Sequence, residues 1–304
     1  ILILTLLISC NDPLEESSGN FSEITTQSED YSEVSSEETS TEKIDLHPDY
    51  DEIPYGLDIT LKSNIVSIMY ETSFNDVIKP GTPIYDKSVM YRENPDDPQF
   101  GPLYSKHYWA EPALGYYRSD DIDVMKTHMK QIHDLGVDFI VIDATNVRYA
   151  WPMDYQNLMT WEPVQILLDT MLEMRENGEN TPYIMFYAGS WTGSYIDDPS
   201  GEHKDDDIRP EYVALEIYDR YYESGKYKDL FVYYEGKPLI NLTDGLPDVV
   251  REYFTVRKMW GLQMMLAARE WSGLQLYPQR VGMNGKVAEH ISVSAAQQQT
   301  YMNA

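Results

Sequence analysis

The sequence predicts an α/β fold, and within that class a (β/α)₈ barrel of which six or seven strands are present. Apolar, strand-like runs alternate with helical patterns from about residue 65 onward, and this alternation indicates a parallel sheet. The part of the chain that is able to fold, residues 53–304, has the length of one barrel domain. No glycine-rich phosphate-binding pattern follows a strand, so a doubly wound open sheet is the second choice.

The chain begins with an apolar run that ends at Cys10, its only cysteine. The run is too short for a membrane-spanning helix, which needs about 20 residues, and is typical of a signal segment. Its last residues, Leu7-Ile8-Ser9-Cys10, resemble a bacterial lipobox, where the signal peptidase cleaves and the thiol carries a lipid. We therefore expect a lipoprotein signal segment at 1–10, lipidation of Cys10, and a chain anchored to a membrane outside the cytoplasm, at the cell surface.

Residues 11–52 consist mainly of Ser, Thr, Glu and Asp. Such a segment cannot bury enough apolar surface to offset its ordering entropy, so we predict a disordered acidic tether. It carries almost half of the net charge of −28, so the acidity says little about the partner of the folded domain. The acidity does argue against nucleic acid, which requires a basic surface.

A strand is predicted at 65–70, and the clearest helix–strand unit follows it. Ser119 is a suitable N-cap. The acidic residues after it lie in the first turn of the helix, where the positive end of the helix dipole stabilises negative charge. The apolar residues of this helix recur at steps of three and four: Ile122, Met125, Met129, Ile132 and Leu135. Gly136 ends the helix, and the apolar run 137–142 indicates a buried parallel strand.

The same pattern then repeats along the chain. Helices are predicted at 164–175 and 211–222, and strands at 183–187, 237–242 and 254–257. The ends of such strands are where α/β folds usually place their chemistry.

Asp143, directly after the strand at 137–142, is the strongest site candidate. It is placed to accept hydrogen bonds from a substrate or to act in acid–base chemistry, and the alternative is a structural Asp that caps the next loop. Asn146 lies in the same loop. Trp191 and Trp271 are assigned to polar loops, as is Trp109, where an indole is a platform for a sugar ring or simply packs. Tyr117 and Tyr187 complete the substrate-binding candidates.

The carboxylate Glu270 beside Trp271 is either a catalytic acid or an ordinary surface residue. The histidines are scattered and no metal-binding signature is present, so we predict no metal and no cofactor. No Gly-x-Ser-x-Gly elbow occurs, which disfavours a serine esterase. Aromatic residues, amides and carboxylates at strand ends fit a carbohydrate site better than a phosphate or nucleotide site.

Two segments carry a resemblance to known enzymes. The run EPALGYYRSDD at 111–121, then a helix, then GVDFIVID at 136–143, resembles the opening of glycoside hydrolase family 99 and family 71-like barrels. YPQ at 277–279 and ISVSAAQ at 291–297 look like segments of related bacterial lipoproteins. The resemblance implies a (β/α)₈ barrel and an endo-acting α-glycosidase, with α-mannan-type polymers as one substrate class.

The family's catalytic Glu pair lies in an Asn-Glu-Trp-x-x-Glu motif that does not occur here. The catalytic residues are therefore unknown, and we expect them downstream of Ala304 in a chain that is truncated at both ends. The leading hypothesis is a surface-anchored, monomeric glycoside hydrolase with a carbohydrate substrate. The alternatives are a non-catalytic glycan-binding lipoprotein on the same scaffold and, last, the solute-binding lipoprotein of a transporter.

Overall fold

The computed structural model describes residues 2–5, 52–74, 85–100, 107–145, 147, 156–189, 210–261, 266–273 and 280–294. Its strands, in chain order, are β1 Leu2–Thr5, β2 Leu57–Asp58, β3 Val66–Tyr70, β4 Tyr85–Asp86, β5 His107–Tyr108, β6 Phe139–Ala144, β7 Tyr183–Ala188, β8 Val232–Tyr234, β9 Lys237–Leu242, β10 Thr255–Gly261, β11 Glu270–Gly273, β12 Gly282–Asn284 and β13 Val287–Ser294. Its α-helices are α1 Lys87–Glu93, α2 Ile122–Asp134, α3 Glu162–Glu176, α4 Pro210–Ile217 and α5 Asp248–Arg251.

The described elements form a mixed α/β structure around a mostly parallel central sheet. The strand order is β11-β10-β9-β7-β6-β3-β1-β13-β12, and only the last neighbouring pair along this path is antiparallel. β8 runs antiparallel to β9 and parallel to β2, and β4 and β5 form a separate small sheet. The parallel α/β class predicted from the alternating pattern is therefore confirmed.

The strands β11 and β13 lie far apart in the sheet order but contact each other directly. The Ser292 amide donates a hydrogen bond of 2.8 Å to the Ser272 hydroxyl. The rings of Trp271 and His290 stack with their centroids 4.7 Å apart. The sheet is therefore strongly curved, since a flat sheet would keep these two strands apart.

Both faces of the sheet are buried, which explains why its strands read as almost continuous apolar runs. One face of the central strands, including Ile140, Phe186 and Leu242, packs against α2, α3 and α4. Their alternate residues, including Val141 and Met185, form a second cluster with Trp271 on the other face. Side chains that alternate along one strand thus belong to two different cores.

The helix α2 agrees with its predicted span, except at its start. The carboxylate of Asp121, two residues after the predicted cap Ser119, accepts the 3.1 Å hydrogen bond from the Val124 amide and is the N-cap. The Ser119 hydroxyl instead accepts a hydrogen bond from the Phe74 amide at 2.9 Å. Gly136 takes the left-handed conformation (φ 78°) expected of a helix C-terminus.

The other predicted helices also differ mainly at their ends. α3 begins after a π-helical segment, Asn157–Trp161, and the predicted helix at 211–222 is α4 followed by a second π-helical segment, Tyr218–Tyr222. The strand predicted at 137–142 is β6, shifted by two residues, whereas the one predicted at 237–242 has those bounds as β9. The apolar start of the chain, assigned to a signal segment, includes β1, which pairs with β3 and β13.

Candidate functional site

The carboxyl ends of β3, β6, β7 and β9 carry a group of polar side chains on one face of the sheet. Pairing sets Asp143 of β6 beside Tyr187 of β7, and Tyr187 beside Asn241 of β9. Tyr70 of β3 pairs with Ile142 of β6. Extending this register by one residue sets Glu71 beside Asp143. Because neighbouring strands lie about 4.8 Å apart, these side chains form one polar row. The register thus brings two of the predicted site residues, Asp143 and Tyr187, beside two that were not predicted, Glu71 and Asn241.

Asp143 lies inside β6, as its next-to-last residue, and is partly exposed. Its Oδ1 accepts a hydrogen bond from the Thr145 amide at 2.8 Å, which is the loop-capping role considered from the sequence. Its Oδ2 has no hydrogen bond to any of the described residues. One oxygen therefore fixes the carboxylate, and the other is free to accept a hydrogen bond from a bound molecule.

Tyr187 of β7 lies next to Asp143 on the same face of the sheet. Its hydroxyl donates a 2.6 Å hydrogen bond to the carbonyl of Met259 in β10, so the phenol spans the inner face of the sheet. Burial, and then the charge of Asp143, raise the pKa of Tyr187 far above its ordinary value. The phenol is therefore neutral at physiological pH and keeps its proton in the bond to Met259.

Two buried polar atoms at this end have no hydrogen-bond partner within the described part of the chain. They are the amide oxygen of Asn241 and the hydroxyl of Thr72, both fully buried. The Asn241 amide nitrogen donates to the Arg257 carbonyl at 3.1 Å, which fixes the orientation of the side chain. Orphaned buried acceptors and hydroxyls are rare in folded proteins and often mark a place where water or a ligand binds.

Gly189 allows the chain to leave β7 close to its neighbours. A Cβ atom at this position would lie 2.6 Å from the Thr243 methyl group and 2.7 Å from the Cβ of Thr145. The loops after β6, β7 and β9 are therefore pressed together beside Asp143, and only glycine fits at this point. This close packing gives the site a firm base.

Glu71 is a site residue that the sequence reasoning missed. It is exposed, and its carboxylate accepts a 3.0 Å hydrogen bond from the Ser73 amide. The signal was present, because Glu71 directly follows the predicted strand 65–70 just as Asp143 follows the predicted strand 137–142.

The candidate Tyr117 lies at the same end, in the segment before α2. Its ring meets the ring of His128 edge-to-face at 5.4 Å, and the His128 Nδ1 lies 3.2 Å from the hydroxyl of Tyr70. Burial lowers the pKa of His128, so the imidazole is neutral at physiological pH. Tyr117 is half-buried and packs on the helix-facing side of β3, whereas Asp143 and Tyr187 lie on the opposite face of the sheet.

The assignment of Trp271 to a polar loop is wrong, and the alternative considered from the sequence, that its ring packs, is correct. The residue lies in β11 with 0% of its surface exposed, stacked on His290. Its indole N–H donates a 3.0 Å hydrogen bond to Glu289. A ring enclosed in this way has no face for a sugar, so Trp271 is a core residue. The remaining predicted site residues Asn146 and Trp191, and the lipidation site Cys10, lie outside the described residues.

The opposite, amino end of the sheet has a different character. A cavity of about 420 Å³ lies there, with Asp138, Arg175, Glu179 and Thr181 among its lining residues. The Arg175 guanidinium already donates to the Thr181 hydroxyl at 2.8 Å and to backbone carbonyls on two segments. Because the N–H donors of Arg175 are engaged in these hydrogen bonds, the guanidinium is less available to a ligand than Asp143 is at the carboxyl end.

The described ranges contain no group of three or more His, Cys, Asp or Glu side chains arranged to hold a metal ion. Among the same residues, no helix has both the length and the apolar character needed to cross a bilayer. Comparison with family models, with curated proteins and with solved structures finds no match to this chain.

Proposed function

We propose that this chain belongs to a membrane-anchored glycoside hydrolase that acts on a neutral polysaccharide, with an endo-acting α-mannanase as the nearest activity. Its scaffold is a (β/α)₈-type barrel, and its substrate lies across the carboxyl ends of the strands. Asp143 is a substrate contact, and catalysis falls to other carboxylates of the protein.

The barrel architecture is supported by the contacts between β11 and β13. The parallel path begins at β11 and reaches β13, and the hydrogen bond from Ser292 to Ser272 joins these two strands. A parallel sheet whose outer strands meet, with an apolar cluster on its enclosed face, has the layout of a barrel. Enzymes on barrels of this kind carry their sites at the carboxyl ends of the strands.

The observation that carries the proposed function is the free oxygen of Asp143 within the polar row. A carboxylate held by one oxygen, with the other oxygen open beside Glu71, suits a ligand with many hydroxyl groups. The amide oxygen of Asn241 lies on the same face but is fully enclosed, so the partly exposed Asp143 is the acceptor that a polymer reaches. The basic residue that follows Asn241 in this register, Arg257 of β10, is 2% exposed and already paired with Glu289, so it is not available to a phosphorylated or sulfated ligand, which favours a neutral glycan.

The membrane anchor is supported by the beginning of the chain. An apolar run ends at Cys10, and an acidic segment without a core composition follows it. A lipid on Cys10 gives about 0.8 kcal/mol per buried CH₂, so several acyl chains hold a protein firmly. A tether of this length gives the domain reach toward a polymer that stays outside the cell.

A non-catalytic glycan-binding lipoprotein is the second candidate. The exposed ring of Trp109, 70% of whose surface is accessible, favours it, because binding surfaces present such rings without any need for catalysis. Fold alone does not separate the two functions.

Reducing-end release distinguishes them when wild-type protein is incubated with a panel of α-mannans and related neutral glycans. We expect release by the full-length protein, reduced about 10- to 100-fold in Asp143→Asn. The reason is that a hydrogen bond to a charged group is worth about 1.5–3 kcal/mol, and each 1.4 kcal/mol is tenfold.

Asp134→Asn is the matched control. Asp134 is an exposed carboxylate at the C-terminus of α2, where it pairs with Lys130 on the surface. This variant should retain full activity. Binding of glycan without release of reducing ends would favour the second candidate. Neither binding nor release on any glycan of the panel, or equal loss in both variants, would overturn the proposal.

A further inference from the structure

Three buried polar side chains on β3 and β13 each have an atom without a hydrogen-bond partner in the described part of the chain. These atoms are the hydroxyl oxygens of Ser67 and Ser292 and the Nε2 atom of His290. The three residues are 0%, 5% and 2% exposed, so solvent does not reach them. An unpartnered buried polar group is costly, and three of them in one region call for an explanation from their surroundings.

Ser67 and Ser292 flank the strand β1 at the same level. The register pairs Ile3 of β1 with Ser67 on one side and with Ser292 on the other side. Isoleucine has no hydrogen-bonding group in its side chain, so β1 supplies none to either hydroxyl at this level. The sequence of β1, LILT, is therefore a poor match for the polar residues on its two neighbours.

The same polar residues face the enclosed core of the curved sheet. Ser67 pairs with Phe139 of β6, which belongs to the apolar cluster that contains Trp271. The ring of His290 stacks on Trp271, and Ser292 lies two residues further along β13, on the same face of the strand. The unpartnered groups therefore line the interior on both sides of β1.

The proposed cleavage before Cys10 would remove β1 and leave β3 and β13 about 10 Å apart, which is twice the usual strand spacing. Both strands are held on their other edge. β3 pairs with β6 at four positions. β13 is tied to β11 because the Ser292 amide donates to Ser272 at 2.8 Å and the Trp271 indole donates to Glu289 at 3.0 Å. Closing the space would break these contacts, so it should stay open.

We propose that processing opens a polar, water-accessible gap between β3 and β13. Water in the gap hydrogen-bonds to Ser67, Ser292 and His290, which have no such partner while β1 is in place, and buried waters commonly serve polar groups in this way. β1 is then the closing strand of the unprocessed chain, and the mature protein has an opening in the side of its sheet. This inference rests on the proposed function, because it requires lipoprotein processing.

Modification of histidine by diethyl pyrocarbonate, mapped by mass spectrometry of peptides, tests the gap. The samples are mature wild type and unprocessed Cys10→Ser protein in the same detergent. His290 should react at least about tenfold faster in the mature protein, because a reagent reaches an enclosed group only through rare openings of the fold. His133 is the matched control, since its side chain is 40% exposed on α2 and should react equally fast in both proteins.

A second variant makes the test independent of cleavage. Ile3→Pro in the Cys10→Ser protein removes a backbone N–H and disrupts the pairing of β1 while the chain keeps its full length. His290 should then react as fast as in mature wild type. Hydrogen exchange should be faster in β13 than in the Cys10→Ser protein, while β7, which is not a neighbour of β1, keeps its protection and shows that the fold persists.

Slow modification of His290 in processed wild type and in Ile3→Pro would overturn the gap and leave the proposed function intact, because the sheet would then close without β1. Fast modification in the Cys10→Ser protein would also overturn it, since β1 would not enclose this region. A wild type that keeps its apolar run would instead contradict the lipid anchor, and the Ile3→Pro protein would still decide whether β1 closes the sheet.

Discussion

The Arg257 guanidinium and the Glu289 carboxylate form an ion pair that is almost completely enclosed. The two side chains are each 2% exposed and lie 2.7 Å apart, and the guanidinium makes a second hydrogen bond to the same carboxylate at 2.9 Å. Tyr234 and Trp271 also donate to Glu289, at 2.7 and 3.0 Å. Four strands, β8, β10, β11 and β13, are thus tied together by one carboxylate.

Glu289→Gln should destabilise the protein by about 3 kcal/mol at pH 7, because it leaves a buried guanidinium without its main counter-charge. Burial alone would raise the pKa of Glu289, but the hydrogen bonds and charge of Arg257 outweigh it, and the pKa lies below its ordinary value. A depressed pKa stabilises the fold above the unfolded value of about 4.3. The difference in stability between variant and wild type, measured by urea unfolding, should therefore shrink as the pH falls below that value.

Glu235→Gln serves as the control for this prediction. Glu235 lies 3.3 Å from the same guanidinium, but its side chain is 30% exposed, so its removal should cost less than about 1 kcal/mol. A Glu289→Gln protein as stable as wild type, or a larger loss in Glu235→Gln, would show that the buried pair is not the contact that holds these strands.

The same cluster shows why β13 was not predicted and why Trp271 was assigned to a loop. β13 has the sequence VAEHISVS, in which polar residues occupy positions that a buried strand normally gives to apolar ones. Glu289 and Ser292 can be buried because their polar groups have hydrogen-bond partners inside the protein, Arg257 and Ser272. Both partners lie on strands that are distant in the sequence. Trp271 looks like a loop residue for the same reason. A pattern within one segment does not reveal a partner supplied by another.

At the level of single elements, sequence periodicity located the helices and the central strands but not their ends. In α2, the spacing correctly identified Met125, Met129 and Ile132 as buried and Gly136 as the C-terminal stop, whereas Ile122 and Leu135 at the two ends are exposed. Its N-cap was not, because Ser119 is drawn to the backbone of Phe74, 45 residues away. The π-helical segments beside α3 and α4 likewise have no signal in the periodicity of the sequence.

The proposed lipid anchor has a direct consequence for β1, because processing of the anchor would remove this strand from the sheet. Its residues pair with β13 over the whole strand and with β3 at two positions. Cleavage before Cys10 would remove β1 and expose the backbone edges of both neighbours, which lose their hydrogen bonds to it. The unprocessed chain should therefore be more stable than the mature lipoprotein.

Cys10→Ser blocks lipidation and processing and makes this testable. In detergent, we expect the variant to unfold a few degrees above the mature wild type, because about 1 kcal/mol corresponds to roughly 2–4 °C for a domain of this size. Intact-mass analysis of both proteins should show the acyl groups and the shorter N-terminus in wild type only. An unlipidated wild type that still begins with the apolar run would contradict the anchor, whatever the melting temperatures.

At the scale of the whole molecule, the location of the site follows from the parallel sheet. Because β3, β6, β7 and β9 run in one direction, residues far apart in the sequence meet at one edge. Asp143 was identified from its place after a strand, and Glu71 was identifiable in the same way. The orphaned oxygen of Asn241 and the close packing at Gly189 depend on the register between strands, which the sequence alone does not specify.

The site at Asp143 lies at the carboxyl end of the sheet. The cavity at the amino end competes with this arrangement as a binding site, since it is a formed cavity of about 420 Å³. A short neutral oligosaccharide, too small to span both ends, discriminates between the two locations.

Titration calorimetry of a short α-mannan oligosaccharide into full-length wild type, Asp143→Asn and Glu179→Gln tests the central claim most directly. Each variant replaces one carboxylate by an amide, at the carboxyl end and at the rim of the amino-end cavity respectively. We predict that Asp143→Asn loses about 10- to 100-fold in affinity while Glu179→Gln binds as wild type does. Weakened binding in Glu179→Gln with full affinity in Asp143→Asn would contradict a glycan site at the carboxyl end of the sheet.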